Sequence, residues 1–336
     1  MKIQSIKKIV TDGRHNAFTG LAFFKGKYFL AFRNGAHHAG GSKGTQILLG
    51  SNDGEGWELL QNKAFFVHGN TGDQMDYRDS YFLNLGHELR LYSFSTPFDA
   101  QGELDPRKSK SIVQITRDGT TWDEPIVVCE GAVLWKPIFH NSQFWCAGYR
   151  RLPHPGPLVT ELYHSPDGIT WKLHAPIAEG NEAALLPTAL GLRCFVRTNK
   201  APYHMEIWES QGDLTVWEKV ATLPKSIQAP QLLLVDGKCY LFGREIHSSI
   251  EMPVQSSALR RTKAWKIEGN QAVEVLELPS KGDTSYVGTV MRPDGSLLLS
   301  YYSQHEIIDP DPSVDDPNSK PTDIFVACVS LGEEAN

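Results

Sequence analysis

Short runs of apolar and β-branched residues, paired around a glycine or an asparagine, recur along the whole chain. Clear cases are LAFFKGKYFLAFRNG (Leu21 to Gly35), SYFLNLGHELRLYSF (Ser80 to Phe94), QLLLVDGKCYLFGRE (Gln231 to Glu245) and TVMRPDGSLLLSYYS (Thr289 to Ser303). PIFHNSQFWCAGYRR and ALLPTALGLRCFVRT are weaker copies. Two strand-like runs that flank turn residues predict a β-hairpin. No long amphipathic helical pattern interrupts these hairpins.

The spacing of the hairpins predicts a repeat architecture. Their turns fall near Gly26, Gly86, Asn141, Gly191, Gly237 and Gly295, with successive gaps of 60, 55, 50, 46 and 58 residues. Each unit has room for four strands, so six units predict an all-β fold, a six-bladed β-propeller. We expect one domain over residues 1–336, with approximate blades at 14–60, 61–127, 128–177, 178–223, 224–278 and 279–331. The last unit stops one strand short, and residues 3–10 are expected to complete its sheet.

A second repeat, an Asp-Gly turn followed by a tryptophan, occurs after the third strand of several units. The copies are SNDGEGW (Ser51 to Trp57), TRDGTTW (Thr116 to Trp122) and SPDGITW (Ser165 to Trp171). An aspartate in such a turn binds its own backbone, so we interpret Asp53, Asp118 and Asp167 as structural. Because strands alternate in direction, these turns share a face with the hairpin turns. Function is then expected on the opposite face, where innermost strands start and second strands end.

Polar and charged residues converge on that opposite face. Arginine is enriched where a carboxylate is bound by two parallel hydrogen bonds, and several of these residues are arginines. The residues expected to bind substrate there are Asn16, Arg33, Arg78, Lys136, Arg150, Arg197, Gln228, Arg244, Asp283 and Tyr302.

Composition narrows the class of partner. The net charge of -6 and the pI of about 6.1 argue against nucleic acid. No apolar run reaches membrane-spanning length, and the N-terminus lacks the features of a signal peptide. Five scattered cysteines without a C-x-x-C pair favour a reducing cytoplasm, or secretion if a signal peptide has been removed. No cofactor is expected, and the oligomeric state stays open.

Three stretches resemble segments of the sialidase (neuraminidase) superfamily, and the Asp-Gly turns resemble its Asp-box, or BNR repeat. NEAALLPTALGLRCFVRT resembles the segment that holds an activating glutamate and a carboxylate-binding arginine, which implies Glu182 and Arg197. DTSYVGTV resembles the segment of the tyrosine nucleophile, which implies Tyr286. YRDSYF resembles the second-blade segment with a pocket aspartate, which implies Asp79.

The chain departs from the sialidase pattern at two places. Asn16 stands where the first arginine of the family's triad is expected, and Arg244, Arg260 and Arg261 compete for the third. The loop after Arg33, NGAHHAGGSKG, contains no carboxylate for the acid/base role and offers His37 and His38 instead. Other carboxylates for that role are Asp99, Glu103 and Asp105, in the loop 96–110. A zinc site (His37, His38, His305) and a calcium site in the loop 307–323 are minor alternatives, because neither has a recognised ligand spacing.

The resemblance implies an exo-acting, retaining glycoside hydrolase for a terminal acidic sugar: a sialic acid, another keto-sugar acid or a uronic acid. Tyr286 and Glu182 would form the nucleophilic pair, and His37 or His38 the acid/base. A polysaccharide lyase that uses His, Tyr and Arg on uronic acids is one alternative. A carbohydrate-binding propeller without catalysis is another.

Overall fold

Twenty-five β-strands and no α-helix make up the described part of the chain. The structure, a computed structural model, describes residues 1–38, 42–68, 71–99, 101–153, 156–200, 203–246, 260–307 and 318–332. The strands form six antiparallel sheets in chain order, which confirms the predicted all-β, six-bladed propeller.

Each sheet is one blade, and strands consecutive in the chain are neighbours within it. Blade 1 consists of β2 (His15–Phe24), β3 (Lys27–Gly35), β4 (Thr45–Ser51) and β5 (Glu58–Lys63). Blade 2 consists of β6 (Phe65–His68), β7 (Thr71–Asn84), β8 (Leu89–Thr96), β9 (Lys110–Thr116) and β10 (Ile126–Glu130). Blade 3 consists of β11 (Ile138–His140), β12 (Gln143–Arg151), β13 (Leu158–Ser165) and β14 (Lys172–Glu179).

The remaining three blades follow the same pattern. Blade 4 consists of β15 (Asn181–Pro187), β16 (Gly191–Arg197), β17 (Met205–Gln211) and β18 (Glu218–Leu223). Blade 5 consists of β19 (Ser226–Val235), β20 (Lys238–Ile246), β21 (Arg260–Glu268) and β22 (Gln271–Glu277). Blade 6 consists of β23 (Ser285–Met291), β24 (Leu297–Ser303), β25 (Asp323–Ser330) and β1 (Lys2–Val10). Strand β1 pairs antiparallel with β25, so the two ends of the described chain meet in one sheet.

The core lies between neighbouring blades. The middle strands of a blade are therefore buried on both faces, and their sequences do not alternate strictly between apolar and polar residues. All eight residues of β8 are buried, because the sheet is covered on both faces. The outermost strand β5 shows mostly exposed and half-buried positions. At the interface of blades 1 and 2, Phe29 and Leu48 pack with Leu91 and Trp122. Within the described ranges, no helix has the length and apolar character that crossing a membrane requires.

The Asp-Gly turns bind their own backbones. Asp167 Oδ1 accepts the backbone N–H groups of Ile169 at 2.8 Å and Thr170 at 2.7 Å. Asp53 and Asp118 make the equivalent bonds two and three residues ahead. Slight burial would raise the pKa of Asp167, but these N–H groups and Ser165 outweigh it and lower the pKa to about 2. The carboxylate is therefore occupied within the turn.

We expect Asp167→Ala to lower the free energy of unfolding by about 1 kcal/mol, as loss of a capping carboxylate does, and to leave kcat unchanged. Denaturant unfolding and activity should be measured on the same samples. Because the folded-state pKa of Asp167 is depressed, its contribution is present above pH 4 and is lost as pH falls through about 2. The difference between the variant and the wild type should shrink over that acid range. A large fall in kcat at unchanged stability would contradict the structural role.

Candidate active site

Six residues with left-handed backbone, one in each blade, surround the mouth of the central channel. Four of them lie at register shifts near the start of an innermost strand, the blade-2 member lies at such a shift in the middle of β7, and the blade-3 member lies two residues before β11. A bulge of this kind re-aims a side chain, and a non-glycine residue with positive φ costs on the order of 1 kcal/mol or more. The six are Phe18 (φ 63°), Asp79 (48°), Lys136 (48°), Glu182 (46°), Ala229 (53°) and Tyr286 (50°). We call these residues the mouth ring.

Two members of the mouth ring form a direct pair. The Tyr286 hydroxyl donates to Glu182 Oε1 over 2.9 Å, and Arg197 Nη1 lies 2.6 Å from the same oxygen. The backbone N–H of Ala229 donates to the other oxygen, Oε2, at 2.9 Å. The structure therefore brings together the tyrosine, the glutamate and the blade-4 arginine that the sequence implied.

The surroundings of this pair shift the pKa values of Tyr286 and Glu182 in opposite directions. Burial raises the pKa of the Tyr286 phenol well above its ordinary value, and Glu182 and Asp79 add to the rise. Burial would also raise the pKa of Glu182, but Arg197, Arg244 and the Ala229 amide outweigh it, so this pKa is lowered. Near neutral pH the phenol keeps its proton beside an ionised carboxylate, which is the arrangement that a base-assisted nucleophile requires.

Three guanidinium groups lie near one another beside this pair. Arg244 donates from Nη1 to Asp283 Oδ1 at 2.8 Å and from Nη2 to Gln228 Oε1 at 2.6 Å. Arg260, at the start of the neighbouring strand β21, forms no ion pair among the described residues. Burial and then repulsion by Arg244 and Arg197 lower the pKa of Arg260 to about 10, although Asp283 and Tyr302 oppose the fall. Nε of Arg260 and Nε of Arg197 are both buried, and neither atom has a hydrogen-bond partner among the residues that the structure describes.

The carboxylate of Asp283 connects several predicted residues. His38 Nδ1 lies 2.5 Å and His15 Nε2 3.0 Å from its Oδ2, while Tyr302 donates to Oδ1 at 3.2 Å. Burial would raise the pKa of Asp283, but the histidines and Arg244 hold it well below its usual range. Burial lowers the pKa of His38 to about 4 despite this carboxylate, so His38 is neutral near pH 7.

The same cluster is the one group of described residues with the geometry for a metal ion. The ligand atoms of His15, His38 and Asp283 lie within 4.8 Å of one another. Arg244 already places a positive charge on the same carboxylate, which opposes a second cation. His305 lies apart from this group, against Phe325 and Glu306, so the alternative zinc set of His37, His38 and His305 is not brought together.

Lys136 and Arg78 lie at the mouth, whereas Arg33 is buried behind it. Lys136 Nζ donates to the carbonyl of Pro230 at 3.0 Å, and burial lowers the pKa of Lys136 to about 7. The Arg78 guanidinium lies 4.7 Å from the centre of the Phe18 ring. Arg33 is fully buried, with Nε 2.8 Å from Asp76 and Nη1 donating to the carbonyl of His37. Arg33 therefore holds the following loop in place.

Two other candidates have their polar groups occupied away from the mouth, and a third is exposed to solvent. Asn16 is fully buried and exchanges hydrogen bonds with Asp12 and Asn34. Arg150 forms a two-bonded pair with Glu161, at 2.8 Å for each contact, in a groove between blades 2 and 3. The His37 side chain is exposed. The structure does not bring these three into the arginine cluster, and their substrate contacts stay predictions.

In the loop 96–110, Asp99 and Asp105 are engaged within the loop, and the Glu103 side chain is exposed. Asp99 accepts the backbone N–H groups of Gln101 and Glu103, each at 2.9 Å. Asp105 pairs with Arg107 and Lys108 at a 3-10 turn, Pro106–Lys108. The aspartates considered for calcium lie outside the described residues: Asp309, Asp311, Asp315 and Asp316.

Comparison with solved structures identifies the known fold that this chain shares. No family model matches the sequence, and no curated protein sequence matches it. The sialidase of Trypanosoma rangeli in complex with sialic acid matches in structure, with a TM-score of 0.68 and 12% identity, over 99% of this chain and 58% of that one. The same sialidase with the inhibitor DANA gives 0.69 and 12%, over 98% and 58%. The fold is that of a sialidase-type propeller.

A second kind of glycosidase shares the architecture less closely. A mutant GH32 β-fructofuranosidase of Bombyx mori in complex with sucrose matches with a TM-score of 0.54 and 13% identity, over 97% of this chain and 62% of that one. This chain therefore spans less than two thirds of the length of these sialidase and fructofuranosidase chains. At such identity the matches show the fold.

Several residues of the site have no distinctive sequence signal. Phe18 and Ala229 join the mouth ring through backbone conformation alone. The distance from ring member to hairpin turn also varies: Lys136 is five residues before Asn141, and Glu182 nine before Gly191. His15 and Asp76 stand among other polar residues in the sequence, so neither is distinguished from its neighbours. The clue for Asp76 is its position two residues before Arg78, with which it pairs at 3.1 Å.

Proposed function

We propose that this protein is an exo-acting glycoside hydrolase that removes a terminal acidic sugar. The observation that carries the proposal is the Tyr286–Glu182 hydrogen bond beside three guanidinium groups, one of which has no carboxylate partner in the described chain. A desolvated guanidinium beside two others favours a bound anion. The solved structures of the same fold include a sialidase that holds sialic acid, which supports a sugar acid as the ligand.

The proposed reaction begins with attack by Tyr286. Its oxygen forms a bond to the anomeric carbon as its proton passes to Glu182, and the bond from that carbon to the leaving-group oxygen breaks. Water then displaces the tyrosine, which recovers its proton from Glu182. Two displacements retain the anomeric configuration. A neutral phenol suits an acidic sugar, because an anionic nucleophile would be repelled by the substrate carboxylate.

A panel of aryl glycosides tests this proposal. We expect the full chain to release the aryl group from glycosides of a sialic acid, another keto-sugar acid or a uronic acid, and not from matched neutral sugars. Proton NMR of the first product should show the same anomeric configuration as the substrate. Hydrolysis of neutral glycosides alone, or inversion of configuration, would overturn the proposed function.

Elimination from a uronic acid is a second candidate, and the state of His38 favours it. A neutral imidazole whose Nδ1 faces Asp283 leaves Nε2 as a base for a proton next to a carboxylate. If the protein is a lyase, a uronate oligosaccharide will yield an unsaturated product with ultraviolet absorbance, and His38→Ala will abolish its formation. Reducing sugar without that chromophore excludes the lyase.

A further inference from the structure

Departure of an alkoxide leaving group needs a proton donor, and the mouth offers few candidates. The loop after Arg33 contains no carboxylate. A donor must carry a proton near neutral pH and have an atom that is not already engaged in the protein. The carboxylates at the mouth can be compared on these two requirements.

Of the four carboxylates that the described residues place at the mouth, three are fully engaged. Asp283 is bound by Arg244, Tyr302 and two histidines. Glu182 is bound by Arg197, Tyr286 and the Ala229 amide. Asp76 accepts from Arg33, Arg78 and the backbone N–H of Gly44. Carboxyl oxygens engaged in this way are not available to donate a proton to a substrate.

Asp79 is the fourth, and its carboxyl group differs from the others. It is 5% exposed, and its Oδ1 is buried with no hydrogen-bond partner in the described chain. Asp79 occupies the same left-handed ring position in blade 2 that Glu182 occupies in blade 4 and Tyr286 in blade 6. The backbone there is strained and the side chain is unpaired, a combination that folding alone does not favour.

We infer that Asp79 is the acid/base residue of the hydrolysis proposed above, on which this role rests. Its carboxylic acid donates a proton to the glycosidic oxygen as the bond from that oxygen to the anomeric carbon breaks. The resulting carboxylate then takes a proton from the water that attacks the tyrosine-linked sugar. Each cycle therefore returns Asp79 to its acid form.

The charges around Asp79 are consistent with this role. The pKa of Asp79 is raised to about 7: burial is the largest cause, Glu182 and Asp76 add to the rise, and Arg78 and Lys136 oppose it. Arg33, Tyr81, Tyr149, Tyr286 and Tyr302 also lie within electrostatic range. The pKa of Asp79 is thus raised, whereas the pKa of Glu182 is lowered. Two carboxyl groups with pKa values shifted in opposite directions are typical of a site in which one acts as the acid and the other as the base. Neutral His38 carries no proton to donate beyond the one it shares with Asp283.

Leaving-group dependence tests the inference. Asp79→Asn should lower kcat/KM by about 10²–10⁴-fold on an alkyl glycoside, and by less than about tenfold on a nitrophenyl glycoside, whose leaving group needs no proton. The ratio of the wild-type kcat/KM values, alkyl over nitrophenyl glycoside, should fall as pH rises through about 7, and this basic limb should be absent in Asp79→Asn. Lys136 also has a pKa of about 7, but its charge acts on both substrates alike and cancels in the ratio. His38→Gln is the matched control and should keep both the limb and the wild-type ratio of the two substrates.

The outcomes separate this role from the function itself. Equal losses of the variant on both glycosides, or a basic limb that persists without Asp79, would overturn the acid/base role while leaving the hydrolase intact. The same leaving-group pattern in His38→Gln would move the role to His38. A wild-type protein inert on every glycoside would overturn both. Thermal unfolding at pH 8 checks folding: the raised pKa of Asp79 costs stability there, so Asp79→Asn should unfold at or above the wild-type temperature.

Discussion

Replacement of Tyr286 by phenylalanine is expected to lower kcat by more than about 10³-fold, because it removes the atom that forms the covalent bond to the sugar. The ring itself should stay in place, since it packs edge-on against Phe18 at 4.7 Å and Trp135 at 5.5 Å between ring centres. Glu182 keeps its bonds to Arg197 and Ala229. Steady-state kinetics on an aryl glycoside of the preferred sugar acid measures the loss.

Tyr302→Phe is the matched control for this substitution. Tyr302 is a fully buried phenol of the same blade, and its hydroxyl donates to Asp283 at 3.2 Å without contact to Glu182. We expect a loss of less than about tenfold there, the size of one neutral hydrogen bond. The dissociation constant of the free sugar acid should be similar for wild type and Tyr286→Phe. Near-normal turnover by Tyr286→Phe would remove Tyr286 as the nucleophile.

Arg260→Met is expected to weaken binding of the sugar acid by roughly 10–100-fold, the value of one charge-assisted hydrogen bond. Arg260 has no carboxylate partner in the described chain to leave behind, and it lies beside Arg244 and Arg197. Removal of its charge therefore relieves repulsion, and the free energy of unfolding should not fall. Calorimetry with the free sugar acid and KM for the aryl glycoside measure the effect.

The neighbouring residue provides the control for this prediction. Arg261→Met removes a guanidinium that pairs with Glu277 at 3.6 Å, on the other side of β21, and should leave affinity unchanged. A methyl ester of the sugar acid lacks the anionic charge, so wild type and Arg260→Met should bind it alike. Equal weakening by both substitutions, or an undiminished effect with the ester, would show that Arg260 does not contact the carboxylate.

The sequence predicted the architecture because a propeller is built from local units. Each hairpin and each Asp-Gly turn is determined by residues that are close in the chain. The spacing of these units along the sequence therefore predicted six blades, and the structure contains six. The direction of the strands then indicated the functional face. The resemblance to sialidase segments marked Glu182, Arg197 and Tyr286, and the structure places Tyr286 and Arg197 within hydrogen-bonding or ion-pair distance of Glu182 across blades 4 and 6.

Only the tertiary structure decided what each of these side chains does. A charged residue at a strand end looks the same in sequence whether it reaches the mouth, as Arg244 does, or is held elsewhere, as Arg150 is by Glu161. The state of Asp79 depends on burial and on charges that include those of other blades, and the pKa of Arg260 is lowered by burial first and then by the guanidinium groups of Arg244 and Arg197. Local patterns determine the strands and turns, whereas desolvation and charge pairing arise only when six blades close around one axis.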